Sequence, residues 1–159
     1  MDGLMTIAKS VAERLRERRE TVAVAESSSG GLIAAALLAQ PGASAYFLGG
    51  AVVYTKVAGA ELLGFTSSDL TGVRSSSEPY AFILADRMRE RLGATWGLSE
   101  TGAAGPGGNR YGDASGHTCV SLVGPAELSR TIETGSDDRE ANMRAFALAA
   151  LTLLDEALS

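Results

Sequence analysis

The chain predicts an α/β fold: a three-layer α/β/α sandwich around a mixed, mostly parallel sheet. Three observations point there. Short apolar or β-branched runs alternate with amphipathic stretches at helical spacing, the layout of repeated βα units. A pair of strand-like runs joined around Gly124-Pro125 comes late and adds antiparallel pairing. Turns rich in glycine or hydroxyls follow the early strands, at the edge where open sheets of this class bind ligands.

The elements follow in order. Leu4, Ile7, Val11 and Leu15 recur at helical spacing between Lys9, Glu13, Arg14, Arg16 and Glu17, so residues 4–19 predict an amphipathic helix lying on the sheet. Thr21-Val22-Ala23-Val24 starts a strand over 21–25. The Ala/Leu-rich run 31–39 is a small-residue helix able to approach the sheet closely, and Pro41-Gly42 stops it because proline cannot continue a helix. Phe47 to Tyr54, loosened by Gly49-Gly50, predicts a second buried strand. A short helix over 56–63 ends at Gly64. The serine-rich loop 66–77, where Ser67 or Ser68 can cap one short turn, gives way at Ser77-Glu78-Pro79 to a helix over 78–92. Its inward face is expected to carry Phe82, Ala85, Met88 and Leu92, with Arg87, Arg89, Glu90 and Arg91 solvated. Thr95 to Ser99 predicts a third strand, and Thr101 to Asn109 reads as irregular because Gly102, Gly105, Pro106, Gly107 and Gly108 fall within it. His117–Val123 and Ser129–Thr134 form the hairpin. A helix over 137–157 comes last, capped by Asp137 or Asp138, with Met143, Phe146, Ala147, Ala150, Leu151 and Leu154 inward.

Composition narrows the function classes. With 159 residues, 45% hydrophobic and 21% charged, the profile is one globular domain over 1–159, without a linker or repeat. Fourteen basic residues against 19 acidic ones give a net charge of -5, and no Lys/Arg run forms a phosphate-tracking stripe, so general nucleic-acid binding is disfavoured. A small phosphorylated ligand stays open, because backbone amides bind phosphate without net positive charge. The single cysteine, Cys119, excludes an intrachain disulfide and reads as a buried structural thiol in an apolar run. One histidine excludes a His-rich metal site. No segment reaches ~18 uninterrupted apolar residues, and Met1-Asp2-Gly3-Leu4 lacks the layout of a secretory signal, so a cytoplasmic protein with no membrane partner is expected.

The stretch Ala25-Glu26-Ser27-Ser28-Ser29-Gly30-Gly31 joins the first strand to a helix start. The first N–H groups of a helix have no intrahelical partner and point, with the positive end of the dipole, at whatever lies before them. Three hydroxyls and two glycines there can cradle an anion or hold one serine as a nucleophile; alternatively Ser28 or Ser29 simply caps the helix. The loops after Ala25, Tyr54 and Ser99 share one sheet edge, the strongest purely physical argument for a site.

Ala25-Glu26-Ser27-x-Ser29-Gly30-Gly31, Pro41-Gly42-Ala43-Ser44, Gly49-Gly50-x-Val52-x-Tyr54, Leu62-Leu63-Gly64, Ser77-Glu78-Pro79 and Gly102-x-Ala104-Gly105-Pro106-x-Gly108 together resemble the CinA C-terminal-domain family, over nearly the whole chain and in order. The resemblance implies hydrolysis of the carboxamide of nicotinamide mononucleotide to the acid and ammonia, with no metal or cofactor, in a homodimer or larger assembly. It implies Ser27 as the nucleophile of an acyl-enzyme, with Tyr54 assisting proton transfer or orienting a lysine base. Backbone N–H groups around Ser29, Gly30 and Gly31 would stabilise an oxyanion, and Gly102, Gly105 and Gly108 would receive the phosphate or ribose. Glu26 would hold a helix N-terminus or orient a substrate hydroxyl.

The sequence departs from the family pattern where the chemistry is most demanding. The position of the family's lysine, five after Tyr54, is Gly59; Lys56, one helical turn back, is the nearest replacement. Serines occupy positions 28 and 29 where the family has Cys and Thr, and Ser75-Ser76 replaces Ala-Val. The family's Lys-Pro-Val-Gly-Thr becomes Asp113-Ala114-Ser115-Gly116-His117, which puts a negative charge beside the ligand loop unless Arg110 compensates. Three readings follow: a carboxamide hydrolase using Ser27 and Lys56, a member that kept the pocket as a nucleotide-binding or regulatory protein, or a hydrolase with a changed substrate. His117, the only histidine, is expected to be structural.

Overall fold

The computed structural model describes residues 2–159, Asp2 by its backbone alone. Helices α1 (Asp2–Arg18), α2 (Leu32–Leu38), α3 (Lys56–Leu63), α4 (Glu78–Leu92) and α5 (Arg139–Leu158) alternate with strands β1 (Val22–Glu26), β2 (Phe47–Val52), β3 (Trp96–Ala103), β4 (His117–Val123) and β5 (Leu128–Glu133). The five strands lie in the order β2-β1-β3-β4-β5. Strands β2, β1 and β3 run parallel, β4 runs antiparallel to β3, and β5 antiparallel to β4. The α/β/α sandwich with a mixed sheet is therefore the observed architecture.

Alternation along β1 divides the core in two. Val22 and Val24 face a cluster with Leu15 of α1, Ile33 and Leu37 of α2 and Ala147, Leu151 and Leu154 of α5, joined by Trp96 and Leu98 of β3. Ala23 and Ala25 face the other side, against Leu84 and Met88 of α4 with Val53, Leu63 and Phe65. The inward stripe of α4 is Ala81, Leu84, Ala85 and Met88; Phe82 is only half-buried and Leu92 is 40% exposed, which corrects the expected face. Close approach sets that stripe: a Cβ at Gly97 of β3 would run into the carbonyl of Ala85, so the small residues of α4 lie directly on the strand. The Ser99 hydroxyl donates to the Ala81 carbonyl at 2.5 Å and ties the two elements together.

Two further differences from the expectation have local causes. β3 runs on through Thr101, Gly102 and Ala103, which pair with Cys119, Thr118 and His117, so the glycine-rich stretch is partly sheet. A side chain at Gly102 would collide with the His117 backbone, and glycine is what permits this pairing. Neither Ser28 nor Ser29 caps α2; its N-cap is Gly31, with a left-handed φ of 101° and no side-chain cap. Elsewhere the terminal signals hold: Thr55 caps α3, which ends at Gly64, Ser77 caps α4 ahead of Pro79, and Asp138 caps α5. Among the described residues, no helix is long and apolar enough to cross a membrane.

Leu151 is fully buried where α5 meets the sheet, whereas Leu148 on the same helix is exposed. Leu151→Ala is expected to lower the unfolding free energy by about 2–5 kcal/mol, and Leu148→Ala to change it by about 0.5 kcal/mol or less. Chemical denaturation of both variants checks the assignment of the inward face.

Candidate functional site

Parallel pairing of β2, β1 and β3 brings their carboxyl ends to one edge, and a cleft of about 1010 Å³ opens there. Ser27 comes from the end of β1, Val53 and Tyr54 from the end of β2, and Thr101 and Gly102 from β3; Lys56 starts α3 at the rim. The opposite wall is the loop between α3 and α4, together with Asn109, Arg110 and Tyr111. Lys56, Arg74 and Arg110 line this cleft and no carboxylate does. Arg74 is paired with Asp113, whereas Lys56 and Arg110 have no acidic partner among the described residues. In an acidic protein, two unpaired cations lining one cleft make a local site for an anion.

The serine turn sorts its three hydroxyls. Ser27 is half-buried and faces the cleft, and its hydroxyl has no protein hydrogen-bond partner among the described residues. Ser28 and Ser29 are buried and turned inward. Their shared partner is Glu100 of β3, which sequence reasoning passed over. Its fully buried carboxylate accepts from the backbone N–H groups of Ser27 (3.1 Å) and Ser29 (2.8 Å), and from the hydroxyls of Ser28, Ser29 and Thr118. The only available signal was a lone glutamate inside an otherwise uncharged strand.

Glu26 caps α2 from below. Its carboxylate accepts from the amides of Gly31 (2.9 Å), Ile33 (3.1 Å) and Ala34 (3.0 Å), so the orphan donors of the helix start are taken up by protein. Burial pushes its pKa above the ordinary glutamate value, against the lowering effect of those hydrogen bonds. Because the Ser29 amide ends on Glu100, the Gly30 amide on the Ser27 carbonyl and the Gly31 amide on Glu26, none of these three is free to form the expected oxyanion site.

The remaining candidates divide by position. Tyr54 is 60% exposed on the cleft and its hydroxyl accepts from Arg139 at 3.2 Å. Lys56 is exposed at the rim, whereas Gly59, one turn further along α3, is buried. A Cβ at Gly59 would stand 3.3 Å from the Phe65 ring and 3.8 Å from Val53. A side chain at 59 would thus start tight against the Phe65 ring, in buried surroundings, whereas Lys56 is exposed at the rim of the cleft. Arg87 holds Phe65 in place, with its guanidinium 4.8 Å from the ring centre and a bond to the Leu63 carbonyl, so this arginine is not merely solvated. Gly105 and Gly108 do not line the cleft: Gly105 is buried and passes its carbonyl to Arg139, and Gly108 packs against the Asp113 backbone.

Asp113 is withdrawn from the cleft, its carboxylate held 2.7 Å from Arg74 and 2.8 Å from the Asn109 amide. Arg74, rather than Arg110, neutralises it, and that pairing lowers the pKa of Asp113. Arg110 instead lies 5.0 Å over the Tyr111 ring and donates to its hydroxyl. Hydrogen bonding from Ser75, then from Arg110, lowers the Tyr111 phenol below its ordinary value. Among the described residues no cluster of His, Cys, Asp and Glu could hold a metal ion.

The fold is thus a three-layer α/β protein with a large cleft open at the carboxyl ends of parallel strands and lined by Ser27 of the serine turn. The sequence matches the CinA C-terminal domain over residues 4–158, and the chain belongs to that family. It is 40% identical over 150 residues to a CinA-like protein of a Synechocystis species, covering 94% of this chain and 36% of that protein. A CinA-like protein of a Cyanothece species is 42% identical over 121 residues, or 76% of this chain and 29% of its own length. The chain thus spans about a third of the curated relatives it matches. Among solved structures, a competence/damage inducible protein from Agrobacterium tumefaciens superposes with a TM-score of 0.89 at 29% identity, covering 98% of this chain and 95% of that one. A CinA superfamily protein from Klebsiella pneumoniae gives 0.90 at 25% identity, covering 98% and 97%.

His117 is buried, with Nδ1 2.5 Å from a Glu133 carboxylate oxygen and Nε2 2.8 Å from the Ser76 carbonyl. Both partners are acceptors, so only the doubly protonated ring satisfies both, and neither nitrogen is left to serve as a base at Ser27. Burial disfavours the charged ring, but Glu133, the Ser76 carbonyl and Asp113 outweigh it and raise the pKa above 6.5. A raised folded pKa stabilises fully below the unfolded value of about 6.5, and the contribution is lost as pH rises through the folded value. Wild type is expected to exceed His117→Gln in stability at about pH 5.5, with the gap narrowing above neutrality in denaturant unfolding at each pH.

Proposed function

We propose that the cleft binds the anionic part of a small phosphorylated ligand, a nicotinamide nucleotide being the type that membership of the CinA family suggests. The observation that carries this is that two cations without acidic partners among the described residues, Lys56 and Arg110, line a cleft that no carboxylate lines. Val53, Phe65 and Tyr80 supply an apolar side on which a planar ring can lie, so one ligand with a ring and a phosphate fits both halves. The same reading makes the protein a binding or regulatory member of its family. A serine hydroxyl is a weak nucleophile without a base, and the position that would bring the family lysine is Gly59, screened by Phe65. Calorimetry with nicotinamide mononucleotide is expected to give saturable binding. Arg110→Ala and Lys56→Ala are each expected to weaken it about tenfold, the equivalent of one charge-assisted contact. Absence of binding to any pyridine nucleotide overturns the proposal.

A second reading, carboxamide hydrolysis through Ser27, is favoured by the one serine hydroxyl of the turn that faces the cleft uncommitted. Under it, wild type releases ammonia from nicotinamide mononucleotide and Ser27→Ala does not. Under the binding reading, wild type is silent, and Gly59→Lys combined with Phe65→Ala, which opens the direction a lysine needs, is expected to raise ammonia release above the wild-type level. An ammonia assay on the three proteins decides between them.

A further inference from the structure

Glu26 and Glu100 stand on neighbouring parallel strands and are paired directly in the register of β1 and β3. Each is at most 1% exposed. Ser29 Oγ lies 2.6 Å from Oε1 of Glu26 and 2.8 Å from Oε1 of Glu100. A serine hydroxyl carries one proton and can donate to only one of them. The other contact, between two oxygens at hydrogen-bond distance, needs a proton that only a carboxyl group can supply.

The surroundings give the same answer. Among the described residues no lysine or arginine bonds either carboxylate. Every donor to the pair is neutral: hydroxyls of Ser28, Ser29 and Thr118, and amides of Ser27, Ser29, Gly31, Ile33 and Ala34. Helix α2 carries no ionisable side chain, and β4 faces the pair with Thr118. Arg139 and Asn142 of α5 spend their donors on Gly105, Tyr54, Ala104 and Ser136. Two buried negative charges directly opposite, without a counter-ion, repel strongly, and the first proton is then held by the pair.

We infer that Glu26 and Glu100 share one proton through Ser29, and that this pair positions Ser27. The sharing follows from the contacts, because Ser29 Oγ reaches Oε1 of both side chains with a single proton of its own. Positioning follows because the amides of Ser27 and Ser29 both end on Oε1 of Glu100. The inference deepens the site proposed above and takes from that reading only that Ser27 faces the ligand.

Carboxyl-carbon NMR of the ligand-free protein, labelled at glutamate, tests it. One buried carboxyl is expected to keep its proton well above the ordinary glutamate value of about 4.3, and the Ser27 and Ser29 amide protons are expected to shift with the same midpoint. Glu26→Gln, which has no carboxyl proton to share, is expected to abolish that high titration. Glu100→Gln removes the charge across Ser29 and is expected to lower the Glu26 midpoint by about one pH unit or more. If Glu100→Gln does not fold, Ser29→Ala serves instead and is expected to move the high midpoint. No buried carboxyl titrating well above about 4.3 in wild type, or an unmoved midpoint in Ser29→Ala, overturns the inference. Because no ligand is present, that failure is separate from a failure of nucleotide binding.

Discussion

A carboxylate buried within a β-strand has to be met by donors, and the turn after β1 is built to meet Glu100. The amides of Ser27 and Ser29 and three hydroxyls converge on it, in a place where an unmet charge would be severely destabilising. That requirement chooses one conformation for a turn whose small residues would otherwise allow many. It turns Ser28 and Ser29 inward and leaves Ser27 towards the cleft. Glu26 does the matching task for α2, where no side chain of the turn caps the helix. The meeting of Glu100 with that turn depends on β1 and β3 lying side by side, with the last residue of β1, Glu26, opposite Glu100.

The cleft's chemistry follows from what the scaffold withdraws as much as from what it presents. Asp113 would have set a negative charge beside an anionic ligand, but Arg74 and Asn109 hold it behind the wall. His117 is committed on both nitrogens, and position 59, packed against the Phe65 ring, is a glycine that brings no side chain to the cleft. What remains facing the cleft is an uncommitted serine, a tyrosine held by Arg139, cations and an apolar side.

Much of the fold was legible in the chain because its signals are local. Apolar spacing marked α1 and α5, Pro41-Gly42 and Gly64 marked helix ends, and Ser77-Glu78-Pro79 marked the start of α4. The inward face of α4 was misread by periodicity alone, because Gly97 of a distant strand sets which residues of the helix touch the sheet. Gly102 was read as loop for a similar reason: its pairing with Thr118 rescues a glycine-rich stretch into sheet, and that partner lies far along the chain.

By itself the sequence determined the α/β alternation, the convergence of hydroxyl-rich turns at one sheet edge, the family pattern around Ser27 and the loss of a lysine at Gly59. Those are properties of residue type and spacing. Only the tertiary structure decided which serine faces the cleft, that Glu26 and Glu100 stand together and that Arg74 rather than Arg110 neutralises Asp113. Each of these is settled by charge or volume shared between residues far apart in the chain, and burial gives such encounters their energy.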